Sequence, residues 1–126
     1  MQWPDHFPTN CPPKDAKPAS GDVFRLVKKN LITNKDFITL AQRKSDEDYG
    51  KDQCKACGVS VYRDINDARK MRKRVRPMRK KKIAKGTLRP NLGYILDTPS
   101  FHEKTHITWW VPVGVKPQSI FSVVSP

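Results

Sequence analysis

Apolar residues recur along the chain with two periods, the two-residue period of strands and the 3.6-residue period of helices. Short runs rich in β-branched and aromatic residues, bounded by turn residues, predict six strands over residues 22–27, 58–62, 83–88, 94–96, 106–113 and 120–124. Helical spacing predicts one helix over residues 33–44 and a second that begins at Asp64 or Asn66. Because proline lacks an amide proton, Pro77 should stop or kink the second helix.

The order of these elements is strand, helix, strand, helix and then four strands. It predicts an α+β domain with a curved, largely antiparallel sheet of about six short strands and two helices on one side. Residues 1–20 contain five prolines, which fix φ and remove amide donors, so we expect an extended Pro-rich N-terminal arm there. Because 126 residues hold one domain of ordinary size, residues 21–126 should form a single α+β domain.

The apolar segments are too short to cross a bilayer, since none approaches roughly 20 residues. The first residues also lack the basic start and the apolar stretch of a secretory signal. We therefore expect a soluble, cytoplasmic (intracellular) protein without a membrane partner.

Positive charge is concentrated in one part of the chain. There are 25 Lys and Arg residues against 12 Asp and Glu residues, a formal net charge of +13. Residues 69–85, called the basic segment below, hold eleven of the basic residues and no acidic one. The basic segment belongs to the predicted helix and its extension over residues 66–85, a pattern typical of surfaces that bind nucleic-acid phosphates. The candidate nucleic-acid-binding residues are Arg69, Lys70, Arg72, Lys73, Arg74, Arg76, Arg79, Lys80, Lys81, Lys82 and Lys85.

A run of like charges has other interpretations: a solvated face, a site for another polyanion, or a site for an acidic protein partner. The basic segment contains no code for RNA, for DNA or for a base sequence. Trp110 is the candidate for stacking a base, because in a strand it shares a face with His106 while Trp109 points the other way. The alternative is that the two tryptophans cover opposite faces of the sheet.

Three cysteines cannot all pair with one another, and Cys54 and Cys57 have the two-residue spacing found in zinc sites. Together with His6 and Cys11 they could form a structural Cys₃His zinc site that ties the arm to the loop before the second strand. Plain free thiols are the alternative. A redox dithiol is disfavoured, because a strand and not a helix is expected after Cys57.

His102, Glu103 and His106 match the spacing of a zinc-peptidase motif that works only on a helix. Pro99 and the strand-like residues after the motif instead predict an extended backbone. An extended chain separates the two histidine Cα atoms by about 13 Å at a rise of roughly 3.3 Å per residue, too far to share one ion. We interpret the match as a loop that leads into a strand.

Two stretches of the sequence resemble the core of ADP-ribosyltransferase-like folds. They are residues 23–27 (VFRLV) and residues 58–62 (GVSVY) running into residues 64–70 (DINDARK). In that family a basic residue on the first strand contacts the dinucleotide, and a small-polar strand followed by an Ala-containing helix walls the nicotinamide pocket. The resemblance implies that Arg25 contacts the dinucleotide and that Ser60 and Tyr62 line the pocket. The late acidic residue of the family has only Asp97 and Glu103 as counterparts, neither in an evident signature.

Two functions of different classes follow. The leading prediction is a small basic protein that binds nucleic acid through residues 69–85. The alternative is an NAD- or nucleotide-using enzyme similar to the ADP-ribosyltransferases, and its candidate catalytic residues are Arg25, Ser60, Tyr62 and His106. The two functions combine if the basic segment borders the pocket, and the sequence does not decide whether the protein is an enzyme.

Overall fold

The computed structural model describes residues 1–126 and contains one open, seven-stranded antiparallel sheet with three α-helices. The strands are Lys17–Pro18 (β1), Gly21–Val27 (β2), Val59–Tyr62 (β3), Lys82–Leu88 (β4), Tyr94–Asp97 (β5), His106–Trp110 (β6) and Phe121–Ser125 (β7). The helices are Leu40–Arg43 (α1), Gln53–Ala56 (α2) and Ile65–Arg74 (α3). The strand order is β1-β5-β6-β3-β2-β4-β7. The predicted α+β class with a largely antiparallel sheet is confirmed.

All six predicted strands are present, and the seventh, β1, belongs to the Pro-rich arm. It pairs through Lys17 with Ile95 of β5 at one edge of the sheet, where Pro18 needs no second hydrogen-bonded neighbour. At the other edge β7 pairs only with β4. The arm therefore extends the sheet instead of leaving the body.

The prediction of one continuous helix over residues 33–44 is wrong. The chain forms a 3₁₀ turn at Asn34–Phe37 and then starts α1 afresh. The break has a local cause, since the Thr39 hydroxyl accepts from the Gln42 amide at 3.4 Å and the Gln42 side chain accepts from the Thr39 amide at 3.0 Å. This reciprocal cap stabilises a helix start where the apolar spacing alone predicts a helix interior.

Helix α3 begins and ends as its sequence predicts. The Asp64 carboxylate caps it by accepting from the Asn66 amide at 2.8 Å. The helix ends at Arg74, and Arg76–Met78 form a 3₁₀ turn that contains Pro77. Ala68 is fully buried in a cluster with Tyr62 and Ile83, so α3 packs on the sheet and carries the first part of the basic segment.

Two apolar clusters hold the sheet together from opposite faces. The larger contains Trp109, Val61 and Phe121 among its twelve buried residues. The smaller surrounds Trp110 with Ala41 and Cys57, and the arm residues Trp3 and Phe7 pack against it. No helix of this structure is both long enough and apolar enough to cross a membrane.

Strands β2 and β3 separate soon after they meet. Strand β2 pairs with β4 along seven residues, but its ladder with β3 consists of the pair Phe24 and Tyr62. Two arginines bridge this seam from its two sides. Arg25 of β2 donates to the Ser60 carbonyl at 2.6 Å, and Arg63 donates to the carbonyls of Ser20 at 2.6 Å and Asp22 at 3.2 Å. Guanidinium groups thus replace part of the missing ladder, and the opened seam forms the floor of a cavity.

Candidate functional site

A cavity of about 590 Å³ lies over the seam between β2 and β3. This volume is in the range of small-molecule sites. All four candidate catalytic residues from the sequence line the cavity: Arg25, Ser60, Tyr62 and His106. The β3–β6 register brings Ser60, Tyr62 and His106 together, because Ser60 pairs with Thr108 and Tyr62 pairs with His106, and directly opposed residues of antiparallel strands share a face. Arg25 is not part of this register and reaches the cavity across the open seam, where it donates to the Ser60 carbonyl.

Arg25 is held by the chain itself. Its Nε donates to the Asp36 carbonyl at 2.8 Å, its Nη1 donates to the Ser60 carbonyl, and its guanidinium lies 5.5 Å from the centre of the Phe37 ring. Burial lowers the pKa of Arg25 to about 10, while Tyr62 and Asp36 act in the opposite direction. The side chain therefore stays cationic at neutral pH, with part of its donor set left for a ligand.

One ring nitrogen of His106 has no hydrogen-bond partner in the protein. The other, Nδ1, lies 3.1 Å from the carbonyl oxygen of Thr98 and 2.8 Å from the Thr98 hydroxyl. In the tautomer in which Nδ1 donates to this carbonyl, Nε2 keeps its lone pair. Burial lowers the pKa of His106, although Glu103 opposes the shift. The neutral ring can accept a hydrogen bond or a proton from a ligand in the cavity.

Glu103 is one of the two acidic residues that line the cavity. Its Oε1 accepts from the Tyr62 hydroxyl at 3.0 Å and lies 3.6 Å from Nη2 of Arg74, while Oε2 accepts from the Ser100 hydroxyl at 3.1 Å. Burial and then the Glu103 charge raise the pKa of Tyr62, so the phenol stays protonated and donates to the carboxylate. The sequence pointed to Glu103 through a peptidase spacing and a family comparison, but it did not indicate the contact with Tyr62.

Cations outnumber anions around the cavity. The charged lining residues are Arg25, Arg43, Lys55 and Lys81 on the positive side and Asp52 and Glu103 on the negative side. Burial lowers the pKa of Lys81, and the nearby charge of Arg25 adds to this effect. A concave surface with excess positive charge attracts anionic ligands such as phosphate groups.

The basic segment forms one wall of the same cavity through Met71, Met78 and Lys81. Four other basic residues of the segment are engaged within the protein or half-buried in the sheet. Arg72 donates to the carbonyls of Lys81 and Pro126, Arg74 pairs with Glu103, Lys85 lies 3.4 Å from an Asp22 oxygen, and Lys82 is half-buried in β4. Six basic residues are exposed and have no carboxylate partner: Arg69, Lys70, Lys73, Arg76, Arg79 and Lys80.

The expected stacking role of Trp110 is wrong. Its side chain is 1% exposed, beneath the arm and α2, and its Nε1 donates to the Cys54 carbonyl at 2.8 Å. Trp109 is 0% exposed in the larger cluster. The two tryptophans therefore cover opposite faces of the sheet, which was the alternative interpretation, because the Pro-rich arm folds back over the face that holds Trp110.

The four candidate zinc ligands are not assembled as a metal site. Cys11 and Cys54 form a disulfide, which removes both as thiolate ligands and corrects the expectation of reduced thiols. Cys57 is a free, buried cysteine, and burial raises the pKa of its thiol. His6 is exposed at the surface of the arm. No three His, Cys, Asp or Glu side chains converge in this structure, and the Cys₃His zinc site stays a prediction.

The peptidase-like spacing lies in a loop that leads into a strand, as interpreted from the sequence, but the backbone before His106 is turned and not extended, since the His106 amide donates to the Glu103 carbonyl at 3.3 Å. His102 and Glu103 lie in the loop between β5 and β6, and His106 begins β6. His106 uses Nδ1 for Thr98, and the His102 ring contacts the Phe101 ring edge-on. The two imidazoles thus have separate neighbours.

Comparison of the chain with protein-family models, with curated proteins and with solved structures finds no match. The function is therefore argued from the cavity and from the exposed cations.

Proposed function

We propose that the protein binds nucleic acid by contacting its phosphate backbone with the basic segment. The observation that carries the proposal is a set of six exposed Lys and Arg side chains without a carboxylate partner. Three lie on α3, one lies in the 3₁₀ turn that follows it, and two lie in the turn before β4. Like charges this close repel one another, and neutralising phosphates relieve the repulsion while releasing condensed counterions.

The contacts that each basic side chain makes within the protein distinguish the charges available for binding from those that stabilise the fold. Where the fold needs a cation, as at Arg72, the guanidinium donates to backbone carbonyls of the chain. The six exposed residues make no such backbone contacts, and Arg69 bonds only the neutral Asn66 side chain. A surface that keeps its charge free in this way favours an anionic partner over a self-compensated solvated face.

The test is the salt dependence of binding to a fluorescein-labelled 20-nucleotide strand, measured by anisotropy. If six phosphates of this single strand are engaged, at a slope of about 0.7 per phosphate, we expect affinity to fall by about 300-fold between 50 and 200 mM salt. A variant with Arg69, Lys73, Arg76 and Lys80 changed to Gln should reduce the slope of log affinity against log salt by about three.

The matched control changes Lys14, Lys17, Lys51 and Lys116 to Gln, which removes the same charge from exposed positions outside the basic segment. We expect this control to keep nearly the wild-type slope. A flat salt profile, or equal losses in the two variants, contradicts the proposal. Nuclease treatment during purification distinguishes an acidic protein partner. If the protein binds nucleic acid, the treatment should remove the absorbance at 260 nm that co-purifies with it. If the partner is an acidic protein, the absorbance at 260 nm should not change.

A second candidate is an NAD- or nucleotide-using enzyme, of which the ADP-ribosyltransferase-like reaction is one form. The observation that favours it is the convergence of Arg25, Ser60, Tyr62 and His106 on one cavity with excess positive charge. In this proposal Arg25 contacts a phosphate, and Nε2 of His106 accepts a hydrogen bond or a proton from the substrate. The adjoining basic segment would then hold a polymer beside the reacting group.

Titration calorimetry with NAD and with AMP tests this second candidate, together with an assay for nicotinamide release. We expect binding in the wild type and weaker binding in an Arg43→Gln, Lys55→Gln variant, whose lining charges are exposed and make no ion pair. Absence of both binding and turnover removes the candidate and leaves the nucleic-acid proposal intact.

A further inference from the structure

Phe101 is the most exposed large hydrophobic side chain of the protein. It is 83% exposed, and the other exposed residues of this kind are aliphatic or methionine. A single exposed apolar side chain is common on protein surfaces, so it is the charged surroundings of this ring that make it a candidate contact with a partner. Phe101 lies in the loop between β5 and β6, two residues before Glu103, which lines the cavity.

The loop that carries Phe101 is fixed to the basic helix. Glu103 contacts Arg74 of α3 at 3.6 Å, and the Ser100 hydroxyl donates to Glu103. Further along the loop, the Thr105 amide and hydroxyl donate to the buried Asp67 carboxylate of α3 at 2.9 Å and 2.6 Å. The loop on both sides of Phe101 is therefore held beside α3, while the ring itself is exposed.

One cationic group lies close to the ring, and others are exposed on the helix to which the loop is fixed. Lys104 Nζ lies 5.3 Å from the centre of the Phe101 ring. On the neighbouring helix, Lys70 and Lys73 are exposed and have no carboxylate partner. An aromatic ring beside basic side chains is the arrangement used to bind single strands, where the cations follow the backbone and the ring stacks on a base.

We infer that Phe101 stacks on an unpaired base of a single-stranded nucleic acid whose backbone lies on the basic segment. The inference rests on the proposed function and specifies its substrate class. In a duplex the bases already stack on one another inside the helix, so a protein ring at the surface gains no base face. The single strand should therefore bind more tightly than the duplex of equal length, with the strand passing the mouth of the cavity at Glu103.

The test compares oligo(dT) and oligo(U) 20-mers with a 20-base-pair DNA duplex, using wild type, Phe101→Ala and Phe101→Trp. Phe101→Ala should weaken single-strand binding by about fivefold to a hundredfold and leave duplex binding and the salt slope unchanged. Phe101→Trp should retain affinity, and the fluorescence of its new exposed indole should be quenched by the single strand. Leu31→Ala, which removes an aliphatic side chain that is 79% exposed, is the control and should change neither affinity.

The outcomes separate this inference from the proposed function. If wild type binds neither polymer, the nucleic-acid proposal and the inference fail together. If wild type binds with the expected salt slope but Phe101→Ala binds the single strand as well as wild type does, the stacking inference alone fails. A change of molar mass in solution on Phe101→Ala, measured by light scattering, would instead assign the ring to contact between copies of the chain and would overturn the inference.

Discussion

The arginines at the seam between β2 and β3 and those that follow α3 use the same functional group in opposite ways. Arg25 and Arg63 direct their guanidinium groups at backbone carbonyls and join two strands that otherwise separate. Arg76 and Arg79 are exposed beyond the end of α3 and have no carboxylate partner. The first pair belongs to the stability of the fold, and the second pair is available to a partner.

The comparison teaches that net charge alone does not locate a binding surface. Arg25 is in a region of ordinary composition, yet it is a cation within the cavity, whereas Arg72 is inside the basic segment and is tied to the C-terminal carbonyl. The number of partners that a side chain has in the folded chain is the better criterion. This criterion predicts that substitutions at the seam lower the stability of the fold, whereas substitutions of the exposed arginines lower nucleic-acid binding.

The largest effect should come from Arg25→Met, which keeps the apolar stem and removes the donors. The carbonyls of Asp36 and Ser60 lose a charged donor, so we expect the free energy of unfolding to fall by about 2–3 kcal/mol in urea titrations. Arg69→Met is the matched control at an exposed position, and its change should stay within about 0.5 kcal/mol. Equal stability of the two variants would show that Arg25 does not hold the seam.

A smaller effect should follow from Arg72→Met. Its Nη1 donates at 3.1 Å to the carbonyls of both Lys81 and Pro126, at sites that are partly open to water. We expect a loss of about 1 kcal/mol in unfolding free energy with little change in the salt slope of nucleic-acid binding. Arg76→Met should do the reverse and lower the salt slope by about one without changing stability. A lower slope for Arg72→Met would place this residue among the binding charges.

The smallest expected effect is the contribution of His106 to the loss of stability at low pH. Burial holds its folded pKa below the ordinary value of 6.5, with Glu103 opposing and with Lys55 and Arg25 adding to the decrease. The unfolded chain therefore takes up this proton first, so the contribution to stability is complete above pH 6.5 and is lost as the pH falls towards the folded pKa.

His106→Gln tests the direction of this pH dependence, because the Gln amide keeps a donor for the Thr98 carbonyl and does not titrate. The difference in urea midpoint between pH 7.5 and pH 5.5 should be smaller in the variant than in the wild type. An identical difference would indicate that His106 does not titrate between these two pH values.

The strands could be predicted from the sequence because each is a short β-branched or aromatic run between turn residues. The helix over residues 33–44 could not, since the capping residues Thr39 and Gln42 act through side-chain hydrogen bonds that apolar spacing does not register. Trp110 was expected to be available because alternation assigns a face but does not say what covers that face. The arm that buries it comes from the other end of the chain.

The residues that line the candidate site could be predicted from the sequence, but the contacts between them could not. Ser60, Tyr62 and His106 converge because two strands pair in one register, and no local signal in either strand specifies that pairing. The disulfide between Cys11 and Cys54 joins positions 43 residues apart, and spacing alone does not determine connectivity. Glu103 reaches Tyr62 from a loop 41 residues away, which only the folded chain could show.

The two edges of the sheet differ in how they meet a neighbouring molecule. At one edge, β1 is two residues long and contains Pro18, so it offers few free amides to an added strand. At the other edge, β7 presents five residues, Phe121–Ser125, with one side paired to β4 and no strand on the other side. Crowding or partial unfolding should therefore promote intermolecular strand pairing at β7, and a proline or lysine introduced there would be the first change to make against aggregation.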